Sequence, residues 1–108
     1  MEIFIRFFFY LQSLIKMSLH DLIKSDSATI VDVRTPEEFK EGHVPYSINI
    51  PLDTIAKQID RLKGLSKPII LCCRSGNRSS QALGQLKSAG CEQIFDGGPW
   101  KDVYLHRL

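Results

Sequence analysis

Cysteine is scarce in this sequence and irregularly placed. The three cysteines, at positions 72, 73 and 91, are odd in number and show no C-x-x-C spacing. A disulfide framework is therefore not expected, and a reducing, cytoplasmic setting is the simpler one. An excess of charge of either sign is also missing: 14 Lys and Arg face 12 Asp and Glu, a formal net charge of +2. The charges are scattered rather than blocked, so nucleic acid is not implied as a partner. Long apolar runs are missing too. Glu2 and Arg6 interrupt the stretch that holds Phe7-Phe8-Phe9-Tyr10-Leu11 before it reaches spanning length, so stable membrane insertion is not expected. The following Gln12-Ser13-Leu14-Ile15-Lys16 offers no small-x-small signal cleavage site. Residues 1–16 read as an extension, either a helix lying on the domain or sequence upstream of a fresh start at Met17; export or membrane association is the alternative if they act as a signal. Metal-ligand spacing is absent as well. His43 has no second His, Cys or carboxylate at metal spacing, and His20 and His106 have no partner by sequence, so neither metal nor cofactor is expected.

What is present is one globular domain, over residues 17–108. Of the 108 positions 44% are hydrophobic and 24% charged, and a domain of this size buries roughly two thirds of its unfolded surface without a metal or disulfide to help. Ser18 caps a helix that begins at Leu19. Thr29-Ile30-Val31-Asp32-Val33 is a β-branched strand. Thr35 then caps a two-turn helix with Pro36 at its first position, Glu38 completing a capping box and Gly42 as its stop. Ser47 to Ile50 reads as a short strand. Ile55, Ile59, Leu62 and Leu65 recur at helical spacing, which predicts one helix from Asp53 to Gly64. Pro68 to Cys72 is apolar without alternation, as a strand buried on both faces is. A helix with Ala82, Leu83, Leu86 and Ala89 on one side ends at Gly90. Gln93-Ile94-Phe95 is a last strand, Asp96-Gly97-Gly98-Pro99 reads as a turn, and Trp100 to Leu108 as a closing helix. Strands alternating with helices imply a three-layer α/β architecture around a mainly parallel sheet.

The chemistry concentrates in Cys73-Arg74-Ser75-Gly76-Asn77-Arg78-Ser79, between the buried strand and the next helix. In open α/β sheets ligands bind at the carboxyl ends of strands. A turn of Ser, Gly and Asn can aim successive backbone amides inward, with the helix start behind it, and such a cup holds negative charge. Arg74 and Arg78 add two cations suited to oxyanions. Cys73 opens the loop, so its sulfur is expected at the cup's mouth, ionised by the same field that would bind a ligand. Cys72 is expected to point into packing, as an inert thiol.

At these residues the sequence resembles the rhodanese superfamily in its single-domain form, from about Ser18 to the end. Asp32-Val33-Arg34, Pro36-Glu37-Glu38-Phe39, Glu41-Gly42-His43-Val44-Pro45, Asn49-Ile50-Pro51, the Cys73–Ser79 loop, Gly97-Gly98 and Trp100 follow one another in the family's order. The resemblance implies a rhodanese-like fold and a sulfurtransferase: a thiolate, here Cys73, takes the outer sulfur of a small anionic donor such as thiosulfate, and the resulting persulfide passes it to a nucleophilic acceptor. Cyanide, a thiol or a thioredoxin-like protein are the acceptors it implies. Arg74, Ser75, Gly76, Asn77, Arg78 and Ser79 would bind substrate, with Asp32 and Arg34 in structural hydrogen bonding beside the loop. His43 belongs to a fold signature, and Trp100 is more a core anchor than a substrate platform. Two other classes stay open, Cys-dependent phosphatases or arsenate reductases and noncatalytic binding modules. The phosphatase pattern places one more residue between nucleophile and Arg than stands between Cys73 and Arg78. The chain departs from the family at Tyr46-Ser47, where Gly-Ala is common, and at Cys72, where many relatives have an aromatic or aliphatic residue.

Overall fold

Four strands form one sheet: β1 (Thr29–Asp32), β2 (Ile48–Asn49), β3 (Ile69–Cys73) and β4 (Ile94–Pro99), all parallel, in the order β2-β1-β3-β4. They belong to a computed structural model that describes residues 17–108 together with residues 3 and 5–7; the role expected for residues 1–16 lies largely outside the described residues. Helices α1 (Leu19–Lys24), α2 (Pro36–Glu41), α3 (Ile59–Lys63), α4 (Asn77–Ser88) and α5 (Trp100–Arg107), with a 3-10 helix (Leu52–Lys57), make the connections.

The three-layer reading follows from alternation along β3, a strand buried throughout. Ile69, Leu71 and Cys73 face one side, packed with Val31, Ile55, Leu62, Ala82 and Leu86. Ile70 and Cys72 face the other, with Ile23 of α1, Ile30, Val44 and Val103 of α5. Each of these aliphatic side chains gains roughly 1.5–3 kcal/mol by burial, and together they clamp the carboxyl end of β3 between helices on both faces.

The capping box expected at Thr35 forms, and the expected cap Ser18 is part of a second one. The Ser18 hydroxyl accepts from the Asp21 amide, and the Thr35 hydroxyl from the Glu38 amide. The single helix expected over Asp53 to Gly64 does not form: the 3-10 helix and α3 meet at Gln58. Leu52 and Ile55, three residues apart, lie on one face of a 3-10 helix, and Pro51 precedes this tighter form. The turn expected at Asp96-Gly97-Gly98-Pro99 is also corrected, because these residues are the second half of β4. Leu71 pairs with Asp96 and Cys72 with Gly98, so Gly97 is the extra residue of a bulge. A Cβ there would lie 2.7 Å from Val103 Cγ2 and 2.8 Å from Ile70 Cγ2. The glycine thus marks close packing against the sheet rather than reversal of the chain.

Candidate active site

The loop from Cys73 to the start of α4 turns at Gly76, whose φ of +96° lies in the left-handed region that favours glycine. That turn aims the Gly76 amide back at Cys73, donating to Sγ at 3.0 Å. The Ser79 amide, one of the donors that the first turn of α4 leaves without a helical acceptor, reaches the same sulfur at 3.4 Å. Ser79 Oγ also lies 3.4 Å from Sγ and donates to the Gly76 carbonyl at 3.1 Å. In the thiol form the S–H donates to Ser79 Oγ; on ionisation the hydroxyl can turn its hydrogen to the sulfur.

The sulfur sits deeper than the sequence suggests. Cys73 has 0% exposure, so it forms the floor of the cup and not its mouth. Alternation along β3 directs it beneath α4, and the sheet is covered on that face. Burial by itself pushes the Cys73 pKa up. Hydrogen bonds from the Ser79 hydroxyl and from the Ser79, Gly76 and Arg78 amides oppose burial, and the net result is a pKa below the ordinary thiol value. Cys72, across the sheet, has no such donors: burial first, and then the negative charge of Asp32, hold it protonated.

Of the two loop cations, Arg74 is exposed, whereas Arg78 is committed. Its Nη1 and Nη2 donate to Glu38 Oε1 and Oε2 at 2.6 and 2.9 Å. This bidentate pair draws Glu38 to a pKa of about 2, mainly through the Arg78 hydrogen bonds, with help from Thr35. Ser75 is exposed in the loop and Asn77 is exposed at the start of α4; the loop expected over Cys73–Ser79 is thus corrected to Arg74–Gly76, since Asn77, Arg78 and Ser79 already belong to the helix.

Asp32 and Arg34 form a buried scaffold beside the loop. Arg34 Nε lies 2.9 and 3.0 Å from the two Asp32 oxygens, and Nη2 donates to Asp32 Oδ2 at 2.7 Å and to the Gly42 carbonyl at 2.6 Å. The guanidinium lies 4.8 Å over the Trp100 ring. Asn49 Nδ2 ties the carbonyls of Asp32 and Arg34 together at 3.0 and 2.8 Å. His43 stacks on Phe39 with centroids 3.7 Å apart, and its Nδ1 lies 2.7 Å from the Phe39 carbonyl, so it braces α2. His20 and His106, without a partner by sequence, meet each other with their Nδ1 atoms 2.6 Å apart. No group of three or more His, Cys, Asp or Glu among the described residues is placed to hold a metal ion, and no described helix is long and apolar enough to cross a membrane.

Sequence reasoning misses two residues here. Glu38 reads only as the capping partner of Thr35, because 40 positions separate it from Arg78. Asn49 reads as part of a strand, and its tie to Asp32 and Arg34 appears only once β2 is laid beside β1. Beside the loop lies a cavity of about 410 Å³ whose walls include Arg34, Glu38, Glu41, Arg74, Trp100 and Lys101.

Residues 17–100 match the sequence model of the rhodanese-like domain. The chain is 34% identical over 86 residues to the thiosulfate sulfurtransferase GlpE of Pseudomonas syringae, covering 76% of this chain and 80% of that protein. It is 39% identical over 93 residues to the uncharacterized protein slr1261 of Synechocystis; this takes in 82% of the chain but only 51% of the relative, so the chain spans about half of that protein's length. A solved structure described as a rhodanese with anions, from Escherichia coli, superposes with a TM-score of 0.63 at 31% identity, covering 69% of this chain and 89% of that one.

Proposed function

Because the chain belongs to the rhodanese-like domain family, we propose that it is a sulfurtransferase that carries sulfane sulfur on Cys73. The observation behind this reading is the convergence of the Gly76 and Ser79 amides and the Ser79 hydroxyl on one sulfur, at 3.0 to 3.4 Å. Donors placed this way stabilise a thiolate without a histidine base, and go on stabilising negative charge when it moves to an added sulfur.

In the first step the Cys73 thiolate attacks the outer sulfur of thiosulfate. A new S–S bond forms on Cys73, the S–S bond of the donor breaks, and its electron pair leaves on sulfite. The persulfide anion then gives its outer sulfur to a nucleophile, cyanide in an assay or a thiol in the cell, and the Cys73 thiolate returns. A thioredoxin-like protein is one such thiol. No proton, oxidant or reductant enters either step of the cyanide reaction. This is covalent two-step catalysis with ping-pong kinetics. The tight loop supports it over phosphoryl transfer, since Arg78 stands only five positions after Cys73. Three free cysteines suit a reducing compartment.

Incubation with thiosulfate should add about 32 Da, one sulfur, to Cys73, and cyanide should release it as thiocyanate. Turnover that survives in Cys73→Ala would sink the assignment. Faster turnover of an aryl phosphate than of thiosulfate would replace it with the phosphatase reading.

A further inference from the structure

We propose that His20 and His106 form a binding site for a late first-row divalent cation of the Zn²⁺ type, which ties α1 to α5. The site is separate from the Cys73 loop and does not depend on the sulfurtransferase reading.

The two residues stand 86 positions apart in the chain, and the fold turns them toward one point. Their Nδ1 atoms are 2.6 Å apart, with ring centroids at 4.8 Å and ring planes at 63°. The lone pair of a ring nitrogen lies in the ring plane, so two nitrogens that face each other this closely converge on a single hydrogen or a single ion. Imidazole is the commonest side-chain metal ligand and suits Zn²⁺, Cu²⁺ and Ni²⁺, whereas Mg²⁺ and Ca²⁺ call for oxygen donors. Two nitrogens bound tetrahedrally to one Zn²⁺ stand about 3.3 Å apart. The rings must therefore part by about 0.7 Å from their present separation. That is a small rotation for two side chains of which His20 is exposed and His106 half-buried. Water takes the remaining positions on the ion, since among the described residues no third His, Cys, Asp or Glu joins the pair. The hydrogen held between the neutral rings passes through solvent to the bare Nε2 of its own ring. Both Nδ1 lone pairs then face the ion, and no proton is gained or lost.

The backbones beneath the pair are fixed. Ile23, three residues after His20, and Val103, three before His106, are fully buried in one cluster. Arg107 Nη1 donates to the carbonyls of Ile23 and Ser25 at 2.8 and 3.2 Å, which binds the end of α5 to the end of α1. Ligands carried on helices held in this way need little reorganisation. The charges agree with a cation. His106 lies in the last turn of α5, whose carbonyl end favours positive charge, and α1, only six residues long, opposes it weakly. Asp102, one turn before His106 on the same face of its helix, offsets Lys24, one turn after His20.

The test takes Cys73→Ala as the common background, which removes the reactive thiol as a competing ligand. Zn²⁺ at about ten times its Kd should raise Tm by about 5 °C, and Mg²⁺ at the same concentration should leave Tm unchanged. His20→Ala and His106→Ala should each abolish the shift. In nitrogen-resolved NMR spectra of the histidine rings, Zn²⁺ should move the Nδ1 resonances of His20 and His106 and leave that of His43, which is engaged with the Phe39 carbonyl. This second measurement needs no substitution at the site, so a variant that fails to fold leaves the test standing. Ring resonances of His20 and His106 that ignore Zn²⁺ overturn the proposal. A Tm shift that survives both substitutions also overturns it, because the ion then binds elsewhere. Either result leaves the reading of Cys73 as it stands.

Discussion

Cys72 and Cys73 follow each other on β3, and neither has exposed surface. Each also has nearby an arginine that is paired with a carboxylate, Arg34 with Asp32 for Cys72 and Arg78 with Glu38 for Cys73. Yet their pKa values move in opposite directions, up for Cys72 and down for Cys73. Burial raises both, and a paired guanidinium has little field left to give. The difference lies in hydrogen-bond donors. Cys73 is the last residue of the strand, where the chain turns at Gly76 and the first amides of α4 have no helical acceptor; one residue earlier, the backbone is still engaged in the sheet. In this fold a reactive sulfur is made by the end of a strand meeting the start of a helix.

The largest expected effect divides the two cysteines directly. Cys73→Ala should lower thiocyanate formation by at least about a thousandfold, as loss of a covalent nucleophile does. Cys72→Ala should keep activity within about threefold and cost about 1 kcal/mol of stability for the small cavity it leaves beside Ile70 and Val103. Comparable losses of turnover in two folded variants would mean that both sulfurs serve the reaction. Next comes the packing of the Cys72 face. Gly97→Ala puts a methyl group within 3 Å of Val103, Ile70 and the Leu71 carbonyl, and should cost about 3 kcal/mol in urea unfolding, since neither β3 nor α5 can withdraw. A smaller effect is expected on the other face. Ser79→Ala removes the hydroxyl beside the Cys73 sulfur, which should raise the Cys73 pKa by about one unit and slow its alkylation by iodoacetamide about tenfold at neutral pH. The wild-type rate should climb with pH and level off below the ordinary thiol value of 9.0, because the thiolate is the reacting form. Cys72 should stay unlabelled in the folded protein.

How much of this was legible in the sequence depends on distance along the chain. The Thr35 capping box, the Ser18 cap and the buried strand are written in neighbouring residues and are legible there, whereas the loop expected over Cys73–Ser79 is shorter, because β3 runs through Cys73 and α4 begins at Asn77. The Asp96–Pro99 segment misleads because a Gly-Gly-Pro run is locally a turn signal, whereas its conformation is decided by Val103 and Ile70 pressing on Gly97. The depth of Cys73 is missed by one residue: the apolar run reads as a strand ending at Cys72, whereas β3 continues through Cys73 and carries its sulfur under α4. The pairing of Glu38 with Arg78 was not within reach, since both residues had a satisfactory local explanation, one as a cap and the other as a loop cation.

That pair gives the last and smallest test, and it bears on the comparison because it braces the start of the helix that supplies amides to Cys73. The Glu38 carboxyl falls from 4.5 to about 2 on folding. A depressed acid contributes stability that is complete above its unfolded pKa and is lost as pH falls through the folded one. The pair should therefore stabilise the protein fully above pH 4.5 and fade as pH approaches about 2. Side-chain exposures of 31% for Arg78 and 23% for Glu38 leave room for solvent screening, so about 1 kcal/mol is expected rather than the larger figure that the shift alone implies. Urea unfolding of wild type and Glu38→Gln across this range should give curves about 1 kcal/mol apart at neutral pH that converge in acid. Taking the difference cancels the other carboxylates. If the curves ran parallel down to the lowest pH, the carboxylate charge would contribute nothing to holding α2 against α4. The amides around Cys73 would then be placed by the Gly76 turn and the packing of α4 alone.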